Sequence, residues 1–363
     1  MQHVDNFGSL LQAYSLKKII ENLGHEVSFI DIEKIDSDYF LAKKNSENKS
    51  INSNKYNGKK IDRYFWNRII VKKLFNNQIE QFSKFRKNTL NIDKRDNDRR
   101  YDICVIGSDE VFNCLTDSEW GFSTQLFGNV RQAEKTITYA ASCGSTTYEK
   151  LPDILKERII STFNGVSAFS VRDYNTFEFV NKLIGKEPII NLDPVVVGNF
   201  DEEINLSHFN KKLPKKYCIV YSYRNRISSN EEISYIKKFC KKNNLEIVSI
   251  GAPQMWIKKH LVLTPFEMLD VFKKSNFVIT DTFHGTIFAA KYANKFATLT
   301  RASNFNKLSD LVNRIEIKNH LIKDLSELDN VYKINHNKKL MRLIEEEQYK
   351  KTIDYLLKSL GEK

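Results

Sequence analysis

Apolar and polar positions along this chain follow two periods. Short β-branched or apolar runs predict strands over 26–32, 102–106, 136–141, 168–171, 188–192, 217–223, 246–251, 276–280 and 297–299. Stretches with apolar residues three and four apart predict helices over 8–23, 151–162, 174–183, 231–243, 265–274, 287–293, 308–314 and 337–360. In the first of these, Leu10, Leu11, Tyr14, Leu16, Ile19, Ile20 and Leu23 make the stripe and Gly24 closes it. Strands alternating with helices predict parallel sheets covered on both faces, an α/β fold. With 363 residues the chain exceeds one ordinary core, so two domains are expected, meeting in the polar stretch 201–216.

Two segments stand outside the alternation. Residues 41–62 are Lys, Asn and Ser with almost no apolar anchor, which predicts a flexible insertion. Residues 63–90 are basic, aromatic and helical in pattern, either an excursion packed on the sheet or a lid. The chain also enters at the loop before its first helix, so the strand that normally precedes such a helix is expected to be missing, the mark of a late start.

Composition narrows the function classes. A hydrophobic share of 41% with 12% aromatic residues excludes global disorder. The formal net charge of +12 suits a nucleic acid, an anionic membrane or an anionic substrate. Lys, Asn and Ile are abundant throughout, and no nucleic-acid-binding motif is visible, so nucleic acid is not expected as a partner. Peripheral contact with the inner membrane surface stays open. No apolar run is long enough to span a bilayer, and no signal peptide is visible. Five scattered cysteines without CxxC or metal-ligand spacing suit reduced thiols in a cytoplasmic protein, and no metal or cofactor is expected.

Chemistry-bearing residues gather where strands end. The run 276–280 passes through Asp281-Thr282-Phe283-His284-Gly285 into a helix. In open parallel sheets ligands sit beyond the carboxyl ends of the strands, and a helix start favours an anion. His284 placed there can hold an anion and move a proton near neutral pH. Other exits carry Gly107-Ser108-Asp109, Arg172-Asp173, Asp193-Pro194 and Arg301, and Asn6 and Gly8 lie in the entry loop. Arginine matches a carboxylate or phosphate with a two-pronged hydrogen bond. Carboxylates and amides pair with vicinal hydroxyls, and Asp109 is a candidate base.

The segments DNFGSLLQAYSL, VIGSDEVFN, YAASCGS, FSVRD, NLDPVVV and VITDTFHGTIFAA occur in this order over most of the chain. Together they resemble the polysaccharide pyruvyl transferase family. The resemblance implies two Rossmann-like domains facing across a cleft, GT-B-like: an acceptor-side domain over 1–205 with the insertion at about 41–90, a donor-side domain over 206–335, and a terminal helix over 336–363. It implies phosphoenolpyruvate as donor and a hexose of a bacterial surface polysaccharide (exopolysaccharide or capsule) or its lipid-linked precursor as acceptor. The product would be a pyruvate ketal, with phosphate leaving. On this resemblance His284, Arg172 and Asp109 are the candidate catalytic residues. Arg172, His284, Phe283, Gly285, Thr286 and Arg301 are the candidate donor ligands, and Asn6, Gly8, Ser108, Asp109 and Asp193 the candidate acceptor ligands. Thr282 stands where several family members have an arginine, and Arg301, Lys307 or Arg224 is expected to supply that charge. Two rivals fit the same architecture: a nucleotide-sugar glycosyltransferase and a non-catalytic polysaccharide-assembly protein.

Overall fold

The computed structural model describes residues 2–32, 63–115, 122–207, 209, 212–224, 226–301 and 304–361, apart from the side chains of 63–69 and 306. The insertion expected at 41–62 lies outside the described residues. Helix α1, Phe7–Asn22, is capped by Asn6 and buried on nearly every face. A helix buried on this many sides belongs inside a molecule, and α1 runs between the two halves of this one. Helix α2, Arg63–Phe85, continues into a widened turn, Arg86–Leu90. Gln78 on α2 both donates to the Leu263 carbonyl (2.8 Å) and accepts from its N–H (3.1 Å), so the helix is fastened to the second half as a packed element.

The first sheet is built from β1 (Tyr101–Asp109), β2 (Ala133–Ala141), β3 (Val166–Ala168), β4 (Ser170–Val171) and β5 (Ile189–Ile190), with helices α3 (Asp153–Phe163) and α4 (Tyr174–Ile184) between strands. Its order is β1-β2-β4-β5, with β3 also on β2, and the ladders are parallel. Two short helices follow, α5 (Pro194–Val197) and α6 (Asp201–Leu206). Part of the polar stretch expected as a linker is therefore helical, since Asp201, Glu202 and Glu203 suit the first turn.

The second sheet contains β6 (Tyr217–Ser222), β7 (Glu246–Gly251), β8 (Lys259–Leu261), β9 (Phe277–Thr280), β10 (Phe296–Leu299) and β11 (Leu321–Ile322). Its order is β11-β10-β9-β6-β7-β8, again parallel. The intervening helices are α7 (Asn230–Lys242), α8 (Pro265–Lys274), α9 (Phe283–Tyr292), α10 (Phe305–Arg314) and α11 (Leu328–Val331). Helix α12, Lys338–Leu360, then returns to the first half. There Thr352 bonds the Tyr139 hydroxyl (2.8 Å), Tyr355 donates to the Thr138 carbonyl (2.6 Å), and Lys135 donates to the Ser359 carbonyl (2.6 Å).

These are two parallel-sheet α/β units facing across a cleft, a GT-B-like fold. One apolar cluster packs the outer face of the first sheet and another that of the second. The largest joins α1, Tyr139, Val195 and Phe200 to Ile219, Phe272 and Phe288, so a single core runs through both halves. No helix among the described residues is long and apolar enough to cross a membrane.

The strand expected at 26–32 is extended but joins no ladder among the described residues. Val27 and Phe29 lean on one cluster while Ile30 and Ile32 lean on another, which is strand alternation without a strand's partner. Side chains hold it instead: Gln2 donates to the Ile30 carbonyl (2.7 Å), and Asn97 accepts from the Asp31 N–H (2.6 Å).

Candidate active site

The carboxyl ends of both sheets meet over the start of α9. This helix starts at Phe283, four residues earlier than the apolar pattern suggests, because Thr282 caps it by accepting from the Gly285 N–H (3.0 Å). Phe283 and His284 therefore occupy its first turn, and by helix geometry their own N–H groups have no partner within the helix. From the first half, Arg172 follows β4, and its guanidinium lies 4.2 Å over the Phe283 ring. Its backbone carbonyl accepts from Arg314 of α10 at 2.7 Å.

Asp193, fully buried, ties these pieces together. One carboxylate oxygen, Oδ1, accepts from the Val195 N–H (3.0 Å) and so caps α5. Its Oδ2 accepts from Arg172 (3.0 Å) and from the Ser108 hydroxyl (3.2 Å), and lies 3.4 Å from His284 Nε2. Burial works to raise the Asp193 carboxyl, but the charge of His284, with Arg172 and the Val195 N–H, holds it well below the usual carboxylate range. Asp109 ends β1 with φ at 75°, a left-handed conformation uncommon outside glycine. It lies 3.5 Å from Arg172 and accepts from Ser9 (3.0 Å). Burial raises this carboxyl too, and the charges of His284 and Arg172 outweigh it, so it also titrates low.

The other face of the His284 ring rests on α1. A Cβ built on Gly8 would stand 2.2 Å from His284 Nδ1 and 2.3 Å from Cγ, so only glycine lets the two helix starts approach this closely. Arg172 Nε is buried in this nest without a hydrogen-bond partner, and His284 Nε2 has the Asp193 carboxylate at 3.4 Å.

A family model described as polysaccharide pyruvyl transferase matches residues 6–302. The chain belongs to that family. No curated protein matches it. Its distant likenesses among solved structures include UDP-GlcNAc 2-epimerase from Methanocaldococcus jannaschii, at 12% identity and TM-score 0.45, covering 94% of this chain and 96% of that one. Another is the S. aureus MnaA-UDP co-structure, at 12% identity and TM-score 0.41, covering 95% and 85%. A third is Acinetobacter baumannii MurG, at 10% identity and TM-score 0.37, covering 96% of each chain.

The residues expected to form the pyruvyl transferase site divide into three groups. Arg172, His284, Phe283, Asp109, Asp193, Ser108 and Gly8 come together. Asn6 stands just outside, its side chain accepting from the Ser9 N–H at 2.7 Å. Three expected donor ligands are differently occupied. Gly285 is crowded: a Cβ there would meet Thr280 Oγ1 at 2.2 Å and Thr282 Oγ1 at 2.5 Å. Thr286 is fully buried and donates to the Thr282 carbonyl at 2.9 Å. Arg301 is turned into its own half, with Nε on Asp281 (2.9 Å) and a terminal nitrogen 2.8 Å from Glu232. Two expected acceptor ligands, Ser108 and Asp193, are fully buried and bonded to each other, whereas the Asp109 carboxylate is partly exposed.

Several contributors have no motif of their own. Ser9, Gln12 and Ser15 are all buried on α1. Ser9 reaches Asp109, Gln12 accepts from the Ser108 N–H (3.1 Å), and Ser15 donates to the Pro194 carbonyl (2.7 Å). The signal was there, since three small or amide residues spaced by three interrupt the apolar run from Phe7 to Leu16. Lys307 crosses the cleft to Glu110 at 2.8 Å. Among the described residues no cluster of three or more His, Cys, Asp or Glu is placed to hold a metal ion.

Proposed function

We propose that this pyruvyl transferase takes the pyruvyl group of phosphoenolpyruvate and bridges two hydroxyls of a hexose in a bacterial surface polysaccharide or its lipid-linked precursor. The observation that carries this reading is Arg172 Nε, a buried donor without a hydrogen-bond partner, on a guanidinium that lies over the Phe283 ring at the start of α9. Buried donors left unpaired are costly. An anionic donor substrate would satisfy it and gain the positive end of α9.

In the reaction the methylene carbon of the enol gains a proton, and the adjacent carbon takes on oxocarbenium character. One sugar hydroxyl attacks it, the C–O bond to phosphate breaks, and the second hydroxyl closes the ring. The diol gives up two protons: one ends on the new methyl group and the other leaves with phosphate. His284 is the proton carrier in this reading, Arg172 holds the donor, and Asp109 takes a hydroxyl proton. Lys307, already facing this cleft, is the residue we assign to the charge that an arginine at position 282 would give.

The test is phosphate release from phosphoenolpyruvate on incubation with synthetic or lipid-linked glycans, followed by mass detection of the ketal. Release that requires a glycan and is lost in His284→Ala supports the reading. Transfer from a sugar nucleotide, with no reaction of phosphoenolpyruvate, overturns it.

A further inference from the structure

Asp193 has no access to an acceptor, yet its Oδ2 meets a residue from each half at once: Arg172 at 3.0 Å and His284 Nε2 at 3.4 Å. We propose that Asp193 is a positioning residue that holds Arg172 and His284 as one unit and fixes the proton on the Nε2 side of the imidazole. The proposal rests on the pyruvyl-transfer reading for its catalytic consequence, but not for its geometry. The far side of the ring is closed by Gly8, so Nε2 is the nitrogen turned toward the carboxylates. Ser108 and the Val195 N–H fix the carboxylate itself, which leaves it no freedom to follow a moving partner.

The charged groups facing His284 come from three strand exits. They are Asp193 after β5, Asp109 at the end of β1, and, through both carboxylates, Arg172 after β4. Helix α1 brings Gly8 against the ring, and no charge there. The starts of α1 and α9 both present positive helix ends to it. Within this set Asp193 is the carboxylate nearest the ring. Replacing it by Asn removes the charge and leaves one acceptor oxygen, which can either cap α5 or face Arg172 and His284.

Asp193→Asn should keep the circular-dichroism spectrum of the wild type and bind phosphoenolpyruvate at least as tightly, because the nest becomes one charge more positive. Turnover should fall about 10-fold or more, and its acid limb should move down by about one pH unit or more, the usual effect of an opposite charge at this range. A purely structural role would lower stability and leave the pH profile in place. A second readout needs no reaction. The nitrogen-15 spectrum of the His284 imidazole, assigned by comparison with His284→Gln, should show the neutral ring protonated on Nε2 in the wild type and lose that preference in Asp193→Asn. An unchanged tautomer in Asp193→Asn overturns the proposal whether or not the protein uses phosphoenolpyruvate. A lost preference in a protein that leaves phosphoenolpyruvate untouched upholds the positioning role and refutes the pyruvyl-transfer reading instead.

Discussion

At the scale of single residues, the nest around His284 makes opposite demands on similar changes. Gly8→Ala would ordinarily stabilise a helix by up to about 1 kcal/mol. Here the added methyl lands on the imidazole, so we expect lower thermal stability and roughly 100-fold slower turnover, from displacement of the ring by about an ångström. Turnover equal to the wild type in Gly8→Ala would show that the ring position is immaterial. Arg172→Ala, from sequence a simple loss of donor affinity, acquires a second effect. It strands Asp109 and Asp193 without their shared cation, and breaking a buried pair of this kind costs about 3–5 kcal/mol. A urea-unfolding midpoint unchanged in Arg172→Ala would contradict that. The two carboxyls also fix the direction of the acid response. Both are held below their unfolded values, so their stabilisation is complete above about pH 4 and is lost as pH falls toward the folded values. Midpoints measured from pH 7 down to 3 should drop more steeply in the wild type than in Asp193→Asn.

Among elements, the start of α9 shows what a sequence can and cannot disclose. The strand at 277–280 and the apolar body of the helix are legible from β-branched and small residues. Its first turn is not, because Phe283 and Gly285 resemble a loop until the Thr282 cap is seen to hold them. Thr282 is thus no vacancy waiting for an arginine: it is buried, and its hydroxyl also lies 3.2 Å from that of Thr280. Thr282→Ser should be nearly silent. Thr282→Arg should lower the melting temperature, since loss of a cap alone costs about 1 kcal/mol and a buried charge adds to it. A stable, active Thr282→Arg protein would mean that the start of α9 can open. The segment at 26–32 fails in the other direction. Its alternation is that of a strand and its residues reach two cores, but a strand is defined by a neighbour, and periodicity says nothing about neighbours. Asp193 was legible as a strand-exit carboxylate; its complete burial was not, because that depends on Ser108, Arg172 and His284 arriving from three distant parts of the chain.

For the whole molecule, the cleft is crossed by contacts of unequal weight. The Lys307–Glu110 pair is partly exposed on both sides and is worth about 0–1 kcal/mol to stability. Lys307→Ala should therefore leave the melting temperature within a degree or two and, on the proposed pyruvyl-transfer reading, raise the phosphoenolpyruvate concentration needed for half-maximal rate. If that concentration is unchanged, Lys307 plays no part in holding the donor. The large apolar cluster is of another kind, since it makes α1 and α12 common property of the two sheets.

That sharing bears on how the polypeptide is made. Tyr139 and Thr138 sit in the first sheet, yet the groups that bond them, Thr352 and Tyr355, lie on α12. At synthesis speeds of about 5–20 residues per second, roughly ten to forty seconds separate the two stretches on the ribosome. Throughout that interval the nascent first sheet has α1 and α5 of its own half against Tyr139 but lacks the cover that α12 later adds. The protein should accordingly depend on holding chaperones during translation far more than its finished stability suggests, and ribosome-bound chains stopped before residue 338 should remain protease-sensitive through the first sheet, while chains released after residue 361 should not.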